Sequence, residues 1–309
     1  MHHRKNLTGK RVVGVSLLVS VSDVLLNAVV GMLTGSQTIL SQSLQGLSDL
    51  ITAAIVYMGV LRSKRKADKK HPLGYGREIF FWVLIAGMFM FVGTGLVSVL
   101  IGIRQIIEPT QITNAPLMLS MLTFGFVTNL YAFSKSRKRL ERSAGRKKLS
   151  KHFFESAMVE TKATFIVDFL GTVSATIGIV SITCYVITGS VAFDGLGSLL
   201  VGISMMCAAL LLVLDTRALI IGKAIPEQLQ KKIRSIVLSH KNVEEIIELR
   251  SLHLGSSSIV VLLELHLSAD LTTTQIESLC DTIQHAIRTQ IPNVYTAQIE
   301  VETPNRELK

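Results

Sequence analysis

Two pairs of oxygen-bearing side chains carry the chemistry this chain could perform. Gln45 and Asp49 stand one helical turn apart in Ser43-Leu44-Gln45-Gly46-Leu47-Ser48-Asp49, inside the second apolar stretch. Thr164 and Asp168 repeat that spacing in the fifth, in Thr164-Phe165-Ile166-Val167-Asp168. Residues four apart project from one helix face, so each pair presents its oxygens together. A carboxylate inside a bilayer is costly, and an intramembrane acid is a functional hypothesis by default. Two such pairs on separate helices predict a shared cation site. The competing reading is a set of satisfied packing residues.

Other polar residues extend the pattern. The first apolar stretch holds Ser16, Ser20 and Ser22, then Asp23 and Asn27 one turn apart. Glu160, Thr164 and Asp168 fall at i, i+4 and i+8, a polar stripe up one face of the fifth. Such a face should line a cavity or another helix rather than lipid.

The elements that must position these residues are membrane helices. Of 309 residues, 49% are hydrophobic, and the mean hydropathy is +0.46. Apolar segments near the length of a bilayer crossing recur six times. The expected spans are Val12–Leu33, Thr38–Leu61, Ile79–Ile103, Leu117–Phe133, Thr164–Thr188 and Phe193–Leu214. The net charge is +10, and its placement is uneven. Basic residues crowd the segment before the first span and the loops 62–77 and 135–151, whereas the three alternate loops carry only Arg104 between them. The positive-inside rule then puts both termini in the cytoplasm. Juxtamembrane lysines and arginines of this kind are topology signals and contacts for anionic lipid, so no nucleic-acid partner is expected. The first span is too long for a signal-peptide core and reads as an uncleaved anchor. Cys184, Cys207 and Cys280 are scattered and predict neither disulfides nor a zinc cluster.

Depth brings the two pairs together. At 1.5 Å per residue Asp49 lies about 16 Å into the second span, and Asp168 about 21 Å up the fifth counted from Phe154. Both reach the middle of a core about 30 Å thick.

The chain divides on character into a membrane domain, 1–217, and a soluble domain, 218–309. In the latter Pro226 marks a helix start, with Leu229, Ile233, Ile236 and Val237 at helical spacing. Two β-like runs follow, Ile246–Leu254 and Ser258–Leu267, then a helix over Thr272–Arg288 and a strand over Tyr295–Val301. The order αββαβ predicts an α+β domain of ferredoxin-like or metallochaperone-like type.

At this point the sequence resembles the cation diffusion facilitator family over nearly its whole length. The resemblance rests on Asn27, Gly31 and Gly35-Ser36, on Leu44-Gln45-Gly46-Leu47-Ser48-Asp49, and on His71-Pro72-Leu73-Gly74-Tyr75-Gly76-Arg77-Glu78. Asp168, Phe193-Asp194-Gly195-Leu196-Gly197-Ser198-Leu199 and the tail's Glu300-Val301-Glu302-Thr303-Pro304 also fit. It implies a homodimeric exporter that exchanges a divalent cation for protons, with no cofactor beyond the metal it carries.

The resemblance also implies four ligand positions, which here read Gln45, Asp49, Thr164 and Asp168. Zinc carriers of the family place histidine among them, and this chain has none there. An amide, a hydroxyl and two carboxylates form a hard oxygen set, suited to Mn²⁺, with Fe²⁺ or Mg²⁺ as alternatives, over Zn²⁺. Asp23 and Glu160 are pathway candidates. Asp68 and His71 occupy a loop site of some relatives, with Tyr75 in place of a third ligand, so that site should be weak or absent. In the tail His253, His266, Glu300 and Glu302 are the candidate ligands. The alternative is a divergent member that no longer transports and serves as a subunit or metal sensor. No nucleophile–base pair or nucleotide motif predicts an enzyme, and no filter-like loop predicts a channel. The expected location is the bacterial inner (plasma) membrane.

Overall fold

Apolar length decides the first two-thirds of the chain. The computed structural model describes residues 21–144, 153 and 155–302. Among these, five helices are long and apolar enough to cross a membrane. They are α2 (Gln37–Ser63), α3 (Glu78–Ile107), α4 (Ala115–Ala144), α5 (Val159–Thr188) and α6 (Ala192–Ile221). They are preceded by the shorter apolar helix α1 (Val21–Thr34). The expected first span, from Val12, begins outside the described residues.

One expectation needs correction. The basic segment 135–151 does not begin as a loop, because α4 continues to Ala144. Lys135, Arg137, Lys138, Arg139 and Arg142 therefore sit on helix, where lysine and arginine are favourable residues. Arg137 also pairs with Glu141 one turn on, at 2.8 Å.

α3 and α6 cross at backbone contact. A Cβ on Gly102 would lie 2.5 Å from the Leu199 nitrogen, and one on Gly202 2.8 Å from the Gly95 oxygen. Gly95 and Gly102 on α3 thus meet Gly195 and Gly202 on α6, the small-residue contact that membrane helices use to approach closely. Part of α3, Phe89–Gly95, winds as a π-helix, with the Thr94 hydroxyl donating to the Met90 carbonyl at 3.1 Å. Gly102→Leu should force these helices apart, lowering the thermal midpoint of the purified protein by the equivalent of about 1–3 kcal/mol. An unchanged midpoint would contradict the close approach.

Asp194 explains one of the motifs. It is 0% exposed, and its carboxylate accepts from Ser36 Oγ at 2.6 Å and from the backbone amides of Gln37 at 2.7 Å and Thr38 at 3.1 Å. These are the open donors at the start of α2, where an anion is favoured. Thr113 N donates to Thr34 O, and Tyr185 Oη to Ile112 O. The α1–α2, α3–α4 and α5–α6 connections therefore gather at one end of the bundle.

The C-terminal unit has the expected αββαβ order: α7 (Glu227–Leu238), β1 (Val243–His253), β2 (Ile259–Leu267), α8 (Thr273–Gln290) and β3 (Val294–Val301). β1 pairs antiparallel with β2, and β2 parallel with β3, in the order β1-β2-β3. Val261, Leu263, Leu265 and Leu267 alternate into a core with Ile233, Val237, Ile283 and Ile287. Pro226 caps α7 from outside rather than occupying its first turn. Thr272 and Gln275 form a capping box at the start of α8. The segment Gly59–Phe81 groups with this unit, which resumes at Thr216. A Cβ on Gly76 would collide with the Leu254 carbonyl, so glycine is required at that contact.

Candidate metal-transport site

A cavity of ≈ 40 Å³ lies among α1, α2, α4 and α5, lined by Asp23, Asn27, Gln42, Gln45, Gly46, Asp49, Met121, Leu122, Gly125, Asn129 and Ala175. That is room for an ion or a water, since a water's share of liquid volume is about 30 Å³. Close packing brings the walls together. Val24 Cγ2 sits 2.7 Å from where a Gly46 Cβ would be, and Ser43 Oγ donates to Val24 O at 3.1 Å. α1 thereby carries Asp23 and Asn27 to α2. On the opposite wall Asn129 Oδ1 lies 2.5 Å from where a Gly171 Cβ would be, which seats α4 on α5.

Several oxygens here lack protein partners. Gln45 is 3% exposed, and Gln45 Oε1, Asp49 Oδ1, Ser48 Oγ and Thr52 Oγ1 are buried without a hydrogen bond. An unsatisfied buried polar atom costs about 1–3 kcal/mol. Four on one helix, two of them from residues lining the cavity, ask for a ligand.

The structure brings together only part of the predicted set. Gln45, Asp49 and Asp23 line the cavity. Asp168 does not, although its charge reaches Asp49. α5 starts at Val159, so Asp168 lies about 14 Å into it, not the about 21 Å counted from Phe154. Thr164 is exposed, its hydroxyl turned back to the Glu160 carbonyl at 2.9 Å. Glu160 stands in the first turn of α5, where an acid suits the helix dipole.

Lys162, at the start of α5, is buried in an ion pair. Its side chain is 1% exposed and its Nζ lies 2.6 Å from Asp215 Oδ2. Gln42, Asn129 and this ion pair were not singled out in advance. Their sequence signal is a polar residue inside an apolar span, and Gln42 stands one turn before Gln45.

The loop candidates are occupied by their own neighbours. Asp68 accepts from the amides of Lys70 at 2.9 Å and His71 at 2.7 Å and from Tyr75 Oη at 2.7 Å. The Tyr75 hydroxyl and then the His71 amide hold its carboxyl below the usual carboxylate range. The His71 and Tyr75 rings pack at 4.2 Å. Asp68 and His71 therefore shape the turn.

In the tail, His253 pairs with Ile259 and His266 with Glu245. The two histidines stand about 23 Å apart along the sheet and do not meet within one chain. His266 contacts Glu244 through Nε2 at 3.2 Å and the Glu302 carbonyl through Nδ1 at 3.2 Å, while Glu300 lies opposite Glu264. Among the described residues no group of three or more His, Cys, Asp and Glu comes together to hold a metal. A cation site among them must draw on amide and hydroxyl oxygens.

A bundle of apolar helices around a polar cavity, followed by a small α+β unit, defines a class of membrane protein that sequence comparison then specifies. The cation efflux transmembrane domain matches residues 13–221, and the cation efflux protein cytoplasmic domain matches residues 225–304. The chain belongs to the cation efflux family, the cation diffusion facilitators. Human "Proton-coupled zinc antiporter SLC30A9, mitochondrial" is 28% identical over 233 residues, 73% of this chain. This chain spans 40% of that relative's length. "Magnetosome protein MamB" of Magnetospira sp. is 22% identical over 291 residues, 94% of each chain. "Cation-efflux pump FieF" of Pectobacterium atrosepticum is 22% identical over 261 residues, 84% of this chain and 81% of its own.

Proposed function

We propose that this protein exports a divalent metal cation in exchange for protons, preferring Mn²⁺, with Fe²⁺ or Mg²⁺ as alternatives, over Zn²⁺. The observation that carries the reading is the buried pair Gln45 Oε1 and Asp49 Oδ1, without protein partners beside a polar cavity. Family membership supports cation efflux. The name of the human relative supplies proton coupling and zinc. We carry over the coupling but not the zinc, because the residues around Asp49 offer oxygen and no imidazole.

The cation enters from the cytoplasmic side, where α5 begins, and meets Asp168. It passes to Asp49, with Gln45 as a neutral partner. Thr164, exposed and bonded to its own helix, contributes at the entrance rather than at the centre. Two carboxylates balance the two charges of the metal, which lowers the cost of desolvating it. Protons arriving from outside neutralise the same carboxylates and displace the metal. The empty, protonated site is again uncharged and can return. Rocking of the helices about this fixed site gives alternating access. Both termini lie in the cytoplasm at the plasma membrane, anionic lipid contacts the basic segments, and the C-terminal unit pairs two protomers.

In proteoliposomes with an imposed pH gradient, Mn²⁺ should move against the proton flow and stop when an ionophore dissipates the gradient. Unchanged Mn²⁺ movement without the gradient would overturn the coupling. Failure to move any divalent cation would overturn transport.

A further inference from the structure

The cavity holds more oxygen ligands than an α2–α5 site needs. Asn27 Nδ2 donates to Asp23 O at 2.9 Å, Gln42 Nε2 to Ser174 O at 2.6 Å and Asn129 Nδ2 to Gly125 O at 2.9 Å. Each partner is a carbonyl and can only accept, so the nitrogen end of each amide is fixed. The carbonyl oxygens of Asn27 and Gln42 are left for the cavity those residues line, whereas that of Asn129 packs against Gly171. Gln45 Oε1 is buried and unpartnered, and Asp23 and Asp49 add two carboxylates. No basic side chain is among the lining residues.

We propose that Asp23, Asn27, Gln42, Gln45 and Asp49 form a cation site of their own on α1 and α2, with Asn129 of α4 in its wall, that takes a hard divalent cation. Two carboxylates and three amide oxygens make five neutral or anionic oxygen donors. With one water they fill the six-oxygen shell that Mg²⁺ and Mn²⁺ take, whereas zinc sites favour four ligands including nitrogen or sulfur. Raw affinity ranks Zn²⁺ above Mn²⁺ at a given site, so a preference for Mn²⁺ has to come from such geometry.

Depth separates this site from Asp168. Measured along each helix from the gathered connections, Asp23, Asp49 and Asn129 lie about 17, 18 and 21 Å in, and Asp168 about 30 Å. Ala175, the cavity residue on α5, lies about 20 Å in, in line with the cavity. A cation leaving Asp168 travels about 12 Å along the bundle to reach the ligand set on α1 and α2. The proposal deepens the transport reading and rests on it for this direction of travel, but binding can be tested separately.

Mn²⁺ binding to the full-length purified protein can be titrated by loss of the free-ion electron paramagnetic resonance signal. Asp23→Asn should weaken binding by about tenfold or more, because it removes one of two charges. Asn129→Asp should tighten it, a gain that misfolding cannot imitate. Asp168→Asn should weaken this affinity less than Asp23→Asn does. Unchanged affinity in both Asp23→Asn and Asn129→Asp, with loss of binding in Asp168→Asn, would overturn the site. If proteoliposomes move no cation while binding still depends on Asp23 and Asn129, transport fails and the site stands. If flux persists and binding ignores both residues, the site fails and transport stands.

Discussion

Asp49→Asn should abolish cation flux in proteoliposomes while leaving the amount and helix content of inserted protein unchanged. The substitution keeps the shape of the side chain and removes only its charge. Asp49 is the carboxylate that feels Asp168 and also lines the cavity with Asp23. Without it, either neighbour faces a divalent ion with one negative charge, too little to offset the desolvation of two. A loss beyond about 100-fold, the upper end of what removing even an outer-shell partner of a metal ligand costs, is the expected result. Wild-type flux in Asp49→Asn would remove the residue from the transport path. Asp168→Asn should also lose flux, but through the entrance step, so its Mn²⁺ binding survives where its transport does not.

Lys162→Met should be among the most destabilising single changes in the membrane helices. Lys162 and Asp215 meet at 2.6 Å with side chains 1% and 11% exposed. Breaking a buried pair by removing one partner costs about 3–5 kcal/mol, because the remaining charge loses its counterion. Replacing both by apolar residues of similar size is often neutral. The double variant Lys162→Met/Asp215→Leu should therefore recover most of the loss. Thermal stability of the purified protein, read as the fraction staying monodisperse after heating, measures all three. A double variant as unstable as the sum of the singles would show that the two residues act independently.

How much of this could be read from the residues in order depends on range. Apolar length and charge asymmetry are local sums, and they give α2 to α6 within a few residues at most ends. The alternation in Val261, Leu263, Leu265 and Leu267 and the Thr272–Gln275 cap are likewise local, and the αββαβ order follows from them. The Gln45 and Asp49 pair is visible because its spacing is that of one helix turn. What stays hidden is the rotation and contact of one helix against another. Asn129 reads as an ordinary packing amide until Gly171 brings α4 onto α5. Asp23 needs Gly46 to admit α1. Thr164 shares the i, i+4 spacing that marks Gln45, yet α5 turns it outward. Lys162 meets a partner 53 residues away, a separation no helical period encodes. His253 and His266 look comparable as strand residues, and only the register of β1 on β2 sets them far apart.

Competition between Mn²⁺ and Zn²⁺ for transport by the reconstituted full-length protein, under one imposed pH gradient, tests the central claim most directly. An oxygen-only path through Asp168, Asp49 and the amides around it predicts that Mn²⁺ is carried and that equimolar Zn²⁺ slows it by less than about twofold. Zinc carried in preference, with Mn²⁺ flux suppressed at equal concentration, would contradict the account.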